Sequence, residues 1–194
     1  MLRFLFINAI VNQPSVKGDY GEMVVKSIFQ LKRFSKPAFY NINDIYFGDE
    51  DNSQQVDHIV ISTKGIFVIE TKYIHGRIIG YEDSYQWTIY NKKKEYKMYN
   101  PLKQNANHVK VVSEFLNCEY PINSLIVFAS NNKPIIDAPN VINFTELKNY
   151  LFKYGSDISI SDEEKEHLYN LLMEHKKNNK ISKNAHINNI KKSE

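Results

Sequence analysis

A mixed central β-sheet flanked by helices, an α/β fold, is the class this sequence predicts, and three observations predict it. The patterning runs helix, hairpin-rich strands, helix, strand, helices, an order that implies a sheet with helices packed on it. Two strong strand signals, Gln55–Ser62 and Gly65–Tyr73, are separated only by Thr63 and Lys64, which makes them a hairpin. Ser124–Ala129 is a short apolar run of the kind buried within a sheet.

The elements follow in order. Asp19–Phe34 spaces Val24, Val25, Ile28, Phe29 and Leu31 as one helical face; Gly18 or Asp19 would start the helix and Pro37 stop it. Ala38–Tyr46 alternates large residues as a strand does, and the polar stretch Gly48–Ser53 reads as a loop. After the hairpin, His75–Gly80 and Trp87–Tyr90 read as short strands and Asn91–Lys97 as an exposed turn and edge. Asn100-Pro101 opens a second helix with Leu102, Ala106, Val109, Val112, Phe115 and Leu116 on its apolar side. Val141-Ile142 ends the sheet, and Phe144–Phe152 is a short helix capped by Thr145. Ser161–His175 is an amphipathic helix whose Ser161 and Glu164 form a capping-box pattern.

Composition bounds the function. The chain has 194 residues with 42% hydrophobic and 24% charged, enough for one domain with an ordinary core. A single cysteine, Cys118, excludes an intrachain disulfide and a cysteine-based zinc cluster, and fits a reducing, cytoplasmic setting. No apolar run is long enough to cross a membrane as a helix. Leu2–Val11 is apolar but lacks the basic region and small-residue cleavage site of a secretory signal, so a docked strand or helix turn is expected there. Net charge is +3, and residues 176–194 carry six lysines against Glu194. The expected division is an N-terminal extension over 1–16, one domain over 17–175 and a flexible basic tail over 176–194. Such a tail either adds salt-sensitive affinity for nucleic acid or is simply solvated.

The chemistry gathers on the hairpin. Glu70 and Lys72 are two apart on a strand and so share a face. A carboxylate can hold a divalent cation, and an ammonium beside it can orient water or stabilise developing negative charge. Alone, this Glu-x-Lys pattern carries little information. Asp57 adds to it, because an acid among Val56, Ile59, Val60 and Ile61 is costly unless it is paired or holds a metal. A hairpin turning between Thr63 and Lys64 sets Ser62 opposite Gly65 and Asp57 opposite Glu70, with Cβ atoms about 5 Å apart. Two carboxylates that close repel unless a cation or a proton lies between them. Glu22 is expected in the first turn of the first helix, where the dipole alone would favour an acid. Gln104 falls near the start of the second helix, and by spacing alone it is an exposed polar residue.

Together these segments resemble the nuclease-related domain family, within the broader PD-(D/E)xK nucleases. The resemblance rests on Gly21-Glu22 with Val25; on Val56-Asp57-His58-Ile59-Val60; on Gly65 to Lys72; on Gly76, Gly80 and Trp87; and on Asn100-Pro101-Leu102 with Gln104 and His108. It implies a restriction-endonuclease-like core and metal-dependent hydrolysis of phosphodiesters in DNA. Carried over by position, Asp57, Glu70 and the Thr71 backbone carbonyl would bind Mg²⁺ or Mn²⁺, and Lys72 would position the attacking water. Glu22 would support a second metal or order the surroundings of the first, and Gln104 would hold Lys72 or a phosphate oxygen. DNA is the implied partner, with a homodimer as a further source of specificity. The alternative is a catalytically silent module that binds nucleic acid or a protein partner.

Other residues have simpler readings. His58 points away from Asp57, as a packing or hydrogen-bonding histidine would, and Trp87 reads as core. His75 lies within reach of a phosphate or is a plain turn residue. Lys92, Lys93 and Lys94 form a basic edge that either touches a nucleic-acid backbone or guards the strand edge from aggregation.

Overall fold

The computed structural model describes residues 14–31, 35–49, 52–130, 134–154 and 159–179. The apolar stretch Leu2–Val11 and most of the basic tail lie outside the described residues. Helix α1 (Pro14–Phe29) precedes three antiparallel strands, β1 (Phe39–Phe47), β2 (Gln54–Ser62) and β3 (Gly65–Lys72). A small sheet follows, β4 (Arg77–Ile79), β5 (Gln86–Asn91) and β6 (Lys94–Tyr99), leading directly into α2 (Pro101–Leu116). The chain then runs through β7 (Ile122–Phe128), β8 (Val141–Asn143), α3 (Leu147–Lys153) and α4 (Asp162–Asn178).

The main sheet has the order β1-β2-β3-β7-β8, antiparallel as far as β3 and parallel beyond it. Ile59, Ile61, Ile66 and Val68 pack on one side against Val112 and Leu116 of α2 and Leu168 and Leu172 of α4. Val60, Phe67, Ile69 and Val127 pack on the other against Val25 and Phe29 of α1 and Leu147 and Leu151 of α3. The small sheet closes a third cluster, in which Ile78, Trp87 and Ile89 cover Ile126 and Phe128. The expected mixed sheet between helices is therefore present.

Several boundaries differ from expectation. Helix α1 begins at Pro14 rather than at Gly18 or Asp19, since proline suits a first helical position, and it ends at Phe29, well before Pro37. The predicted turn and edge over Asn91–Lys97 contains a two-residue turn, Lys92-Lys93, after which Lys94 pairs back with Asn91 in β6. Helix α3 starts at Leu147, and Thr145 does not cap it; the Thr145 hydroxyl donates to Asn143 Oδ1 instead. Ser161 does cap α4, its hydroxyl oxygen accepting from the Glu164 amide.

Strands β1 and β2 share an irregularity. Tyr40 and Ile42 face the α2–α4 layer, and so do Ile45 and Phe47, so the strict alternation of β1 slips by one residue between them. Val56 and Ile59 of β2 show the same slip. The register is unchanged across it, Asn43 facing His58 and Ile45 facing Val56. The residues at the slip are Asp44, which takes a left-handed φ of 50°, and Asp57.

Candidate active site

The β2–β3 register is as expected where the strands pair, Ser62 facing Gly65 and His58 facing Ile69. The paired ladder stops there, so Asp57 and Glu70 do not form the regular rung expected of them. Asp57 Oδ2 instead accepts from the Thr71 amide at 2.8 Å. The side chain stands where a backbone carbonyl of β2 would otherwise be. Both strands are thereby freed to present their acids at the mouth of the sheet.

Behind this opening lies a staple. His58 Nδ1 is 2.7 Å from Asn43 Oδ1, and its Nε2 is 3.1 Å from Thr71 Oγ1. The amide oxygen can only accept, so the proton resides on Nδ1 and Nε2 accepts from the threonine hydroxyl. Fully buried, His58 is held neutral, and burial drives its pKa down to about 3. It is thus the hydrogen-bonding histidine expected on the far face, tying β1, β2 and β3 together.

Glu70, Lys72, Gln104 and His108 meet between β3 and α2. Lys72 Nζ donates to Glu70 Oε1 at 2.5 Å and to Gln104 Oε1 at 2.9 Å. Gln104 is therefore no idle surface residue; it holds the lysine, as the resemblance implied. The Lys72 side chain remains 20% exposed, while that of Glu70 is only 4% exposed. His108 Nδ1 is 3.3 Å from Glu70 Oε2, within ion-pair distance but not aligned as a hydrogen bond, so neither atom has an aligned hydrogen-bond partner. Helix α2 is pinned in this position by Asn105, whose Nδ2 donates to the Val68 carbonyl and to Ser124 Oγ. The i+4 spacing of His108 from Gln104, which puts both on one helix face, is the sequence signal that points to it.

Helix α1 brings the third acid. Glu22 is the ninth residue of α1, not in its first turn, so the helix dipole does not explain it. Gly21 allows the approach, because a Cβ there would come within 2.8 Å of Tyr73 Cβ and 3.4 Å of Thr71 Cγ2. Lys26, one turn on, lies 3.6 Å from Glu22 and 2.5 Å from Asp44. Sequence reasoning missed Lys26 and Asp44, since only the slip in β1 turns Asp44 toward the helix. Asp19, Glu22, Lys26, Asp44 and Tyr46 line a cleft of about 440 Å³. A separate cavity of about 720 Å³, around Ala138 to Tyr154, shares no residue with these acids.

Electrostatics separates the two strand acids. Burial, with the negative charges of Glu70 and Glu22, raises the Asp57 pKa well above the usual carboxylate range. Burial opposes ionisation of Glu70 too, but Lys72 and His108 outweigh it and hold its pKa at about 2. In turn the carboxylates raise the pKa of Lys72 against its own burial, so it stays an ammonium.

These features fit a divalent cation. Glu70 Oε2 is a buried oxygen with no aligned hydrogen-bond donor, and Asp57 is an acid whose ionisation its neighbours disfavour. Among the described residues no three His, Cys, Asp or Glu side chains form a metal-holding group. The protein ligands would then be two carboxylates, with backbone and solvent oxygen completing the coordination, a habit of Mg²⁺. His75 is exposed, with its ring edge-on to Tyr73, and Lys92, Lys93 and Lys94 are exposed at the far tip of the small sheet, so neither belongs to this cluster. Among the described residues no helix is long and apolar enough to cross a membrane.

The chain is 28% identical over 177 residues to an uncharacterized protein of Bacillus anthracis, an alignment covering 86% of this chain and 81% of that protein. No solved structure matches it. Residues 17–129 match the nuclease-related domain, a stretch that contains Glu22, Asp57, Glu70, Lys72 and Gln104, and the chain belongs to that family.

Proposed function

We propose that this protein is a metal-dependent nuclease that hydrolyses phosphodiester bonds in DNA. The observation that carries the reading is a buried glutamate, Glu70, whose Oε2 receives no aligned hydrogen bond and has only His108 Nδ1 at 3.3 Å, beside a lysine that Gln104 holds by its ammonium. Asp57, Glu70 and the Thr71 carbonyl are the assigned ligands for Mg²⁺ or Mn²⁺. When bound, that ion lowers the pKa of water and polarises the scissile phosphate. Asp57, whose ionisation burial and the charges of Glu70 and Glu22 disfavour, would hold the ion as a carboxylate balanced by the cation's charge. Lys72, ionised and partly exposed, orients the attacking water and faces the negative charge that grows on the phosphate. Gln104 would keep Lys72 aimed when Glu70 holds the ion. Glu22 orders the cleft mouth and balances Lys26.

Purified protein incubated with labelled single-stranded, duplex and branched DNA tests the reading. Cleavage is expected with Mg²⁺ or Mn²⁺, none with EDTA, and none for Lys72→Ala. Cleavage that survives in EDTA, or in a clean preparation of Lys72→Ala, refutes it.

The short Lys72–Glu70 pair favours one alternative, a metal-free ion-pair network inside a silent binding module. The two readings part on thermal stability. A bound ion at about 100 times its Kd adds about 2.7 kcal/mol, whereas a closed network gains nothing from Mg²⁺.

A further inference from the structure

The small sheet has one covered face and one open one. Ile78, Trp87 and Ile89 point inward to the core. The opposite face is built of cross-strand neighbours Gln86 and Tyr99, Thr88 and Lys97, and Arg77, Tyr90 and Glu95. Tyr85 adds a ring edge-on to Tyr99, with centroids 5.1 Å apart. Tyr81 is 73% and Tyr85 70% exposed, Tyr90 and Tyr99 are exposed on this open face, and Tyr96, paired with Ile89, is exposed on the other. At the tip, a cleft of about 470 Å³ is lined by Asn91, Lys92, Lys93, Lys94 and Tyr96. Lys92 there takes a φ of 55°, a backbone state in which glycine or asparagine would cost less.

From this face we infer a platform for single-stranded nucleic acid, feeding the site described above; the inference rests on the nuclease reading. Stacking explains the tyrosines: an exposed ring gains from a base whose face is open, and bases within a duplex have their faces covered. Guarding a sheet edge would account for Lys92, Lys93 and Lys94, but not for tyrosines that add apolar area to that same edge. The lysines complement a phosphate backbone.

The platform is joined to the site at both ends. Tyr73 to Gly76 alone separate Lys72 from β4. At the other end Asn100 Nδ2 donates to the carbonyls of Glu82 and Ser84, which fixes the loop bearing Tyr81 and Tyr85, while Asn100 Oδ1 caps the helix that carries Gln104.

The test is fluorescence anisotropy in EDTA, so that cleavage does not intervene. Probes of about 20 nucleotides, oligodeoxythymidine, oligouridine and a matched duplex, are titrated at about 50 to 200 mM salt. The proteins are wild type, Tyr85→Ala/Tyr99→Ala, Tyr85→Phe/Tyr99→Phe, and the triple Lys92→Gln/Lys93→Gln/Lys94→Gln. Single strands should bind best, and the oligodeoxythymidine and oligouridine arms tell DNA from RNA. The alanine pair should lose about tenfold or more in affinity while melting as wild type does, and the phenylalanine pair should stay within about twofold. The lysine variant should lower the salt slope by about 2. Unchanged affinity in the alanine pair overturns the platform, as does equal tyrosine dependence on duplex. Wild type that binds no oligonucleotide also overturns it, and so does a tyrosine-dependent dimer on gel filtration without binding. Metal-dependent cleavage with tyrosine-independent binding sinks the platform alone. Tyrosine-dependent binding without cleavage under any metal sinks the catalytic reading alone.

Discussion

Replacing Lys72 by methionine keeps the aliphatic stem and removes the charge, and its effect on stability can be worked out from Glu70. That carboxyl is held at a pKa of about 2 against 4.5 in the unfolded chain. At 1.36 kcal/mol per unit this is about 3 kcal/mol of stability. Because the folded pKa is the lower one, the contribution is present above pH 4.5 and is lost as pH falls through about 2. Without Lys72, burial acts on Glu70 with only His108 in opposition, and its pKa rises above the unfolded value. The sign then reverses: what Glu70 contributes is present at low pH and lost as pH rises. Lys72→Met should therefore cost about 3 kcal/mol or more at pH 7, a fall in Tm of about 6–12 °C for a chain of this size. The deficit should shrink as pH is lowered toward 4. Glu70→Gln/Lys72→Met should recover most of it, since no buried charge is then left alone. Urea unfolding in EDTA at pH 7 and pH 4.5 measures all three proteins. A deficit under about 1 kcal/mol at pH 7, or a double variant no better than the single one, refutes the reasoning.

Three more outcomes are expected. His58 is neutral in the fold with a pKa of about 3 against 6.5, so its contribution is present above pH 6.5 and lost as pH falls toward 3; His58→Gln should flatten wild-type acid destabilisation between those values by about 1.4 kcal/mol per pH unit, read by denaturation at a series of pH values. Asn100→Ala loses a helix cap and strands the carbonyls of Glu82 and Ser84; about 2–4 kcal/mol of stability should go, with faster amide exchange over Tyr81–Tyr85. Gly80→Ala would place a Cβ 2.1 Å from Trp87 Cδ1 and should cost about 1–3 kcal/mol in thermal unfolding, with Trp87 fluorescence reporting the displaced ring.

Much of this fold was legible because its signals are local. The hairpin register followed from a two-residue turn, and strand parity was enough to put Glu70 and Lys72 on one face. Asn100-Pro101 marked the start of α2 correctly because capping is settled by adjacent residues. What was not legible depends on contacts distant in sequence. The sequence places Glu22 in a first turn, where the dipole is one explanation for an acid; the extra turns that begin at Pro14 remove that explanation. Lys165 looks like one more surface lysine of an amphipathic helix. In the fold it is buried, donating to the Pro37 carbonyl, to Thr63 Oγ1 and to Asp162, and so ties α4 to the β2–β3 turn. No local pattern distinguishes it from its neighbours. Gln104 by spacing alone belonged to solvent, and only the docking of α2 by Asn105 brings it to Lys72.

The slip shared by β1 and β2 at Asp44 and Asp57 limits which length changes the chain can accept. On either side of it each strand presents its apolar residues to the core, but out of phase with the other side. Deleting a residue from β1 near Asp44 would restore that strand's alternation and leave β2 with its own offset. One half of the pairing would then aim Ile45 and Phe47 at the wrong layer. Only a matched deletion in β2 would bring the faces back into agreement, and the residues at that offset are Asp57 and His58. A single-residue deletion in β1 is therefore repaired only at the cost of the acid or of the histidine that ties the three strands together.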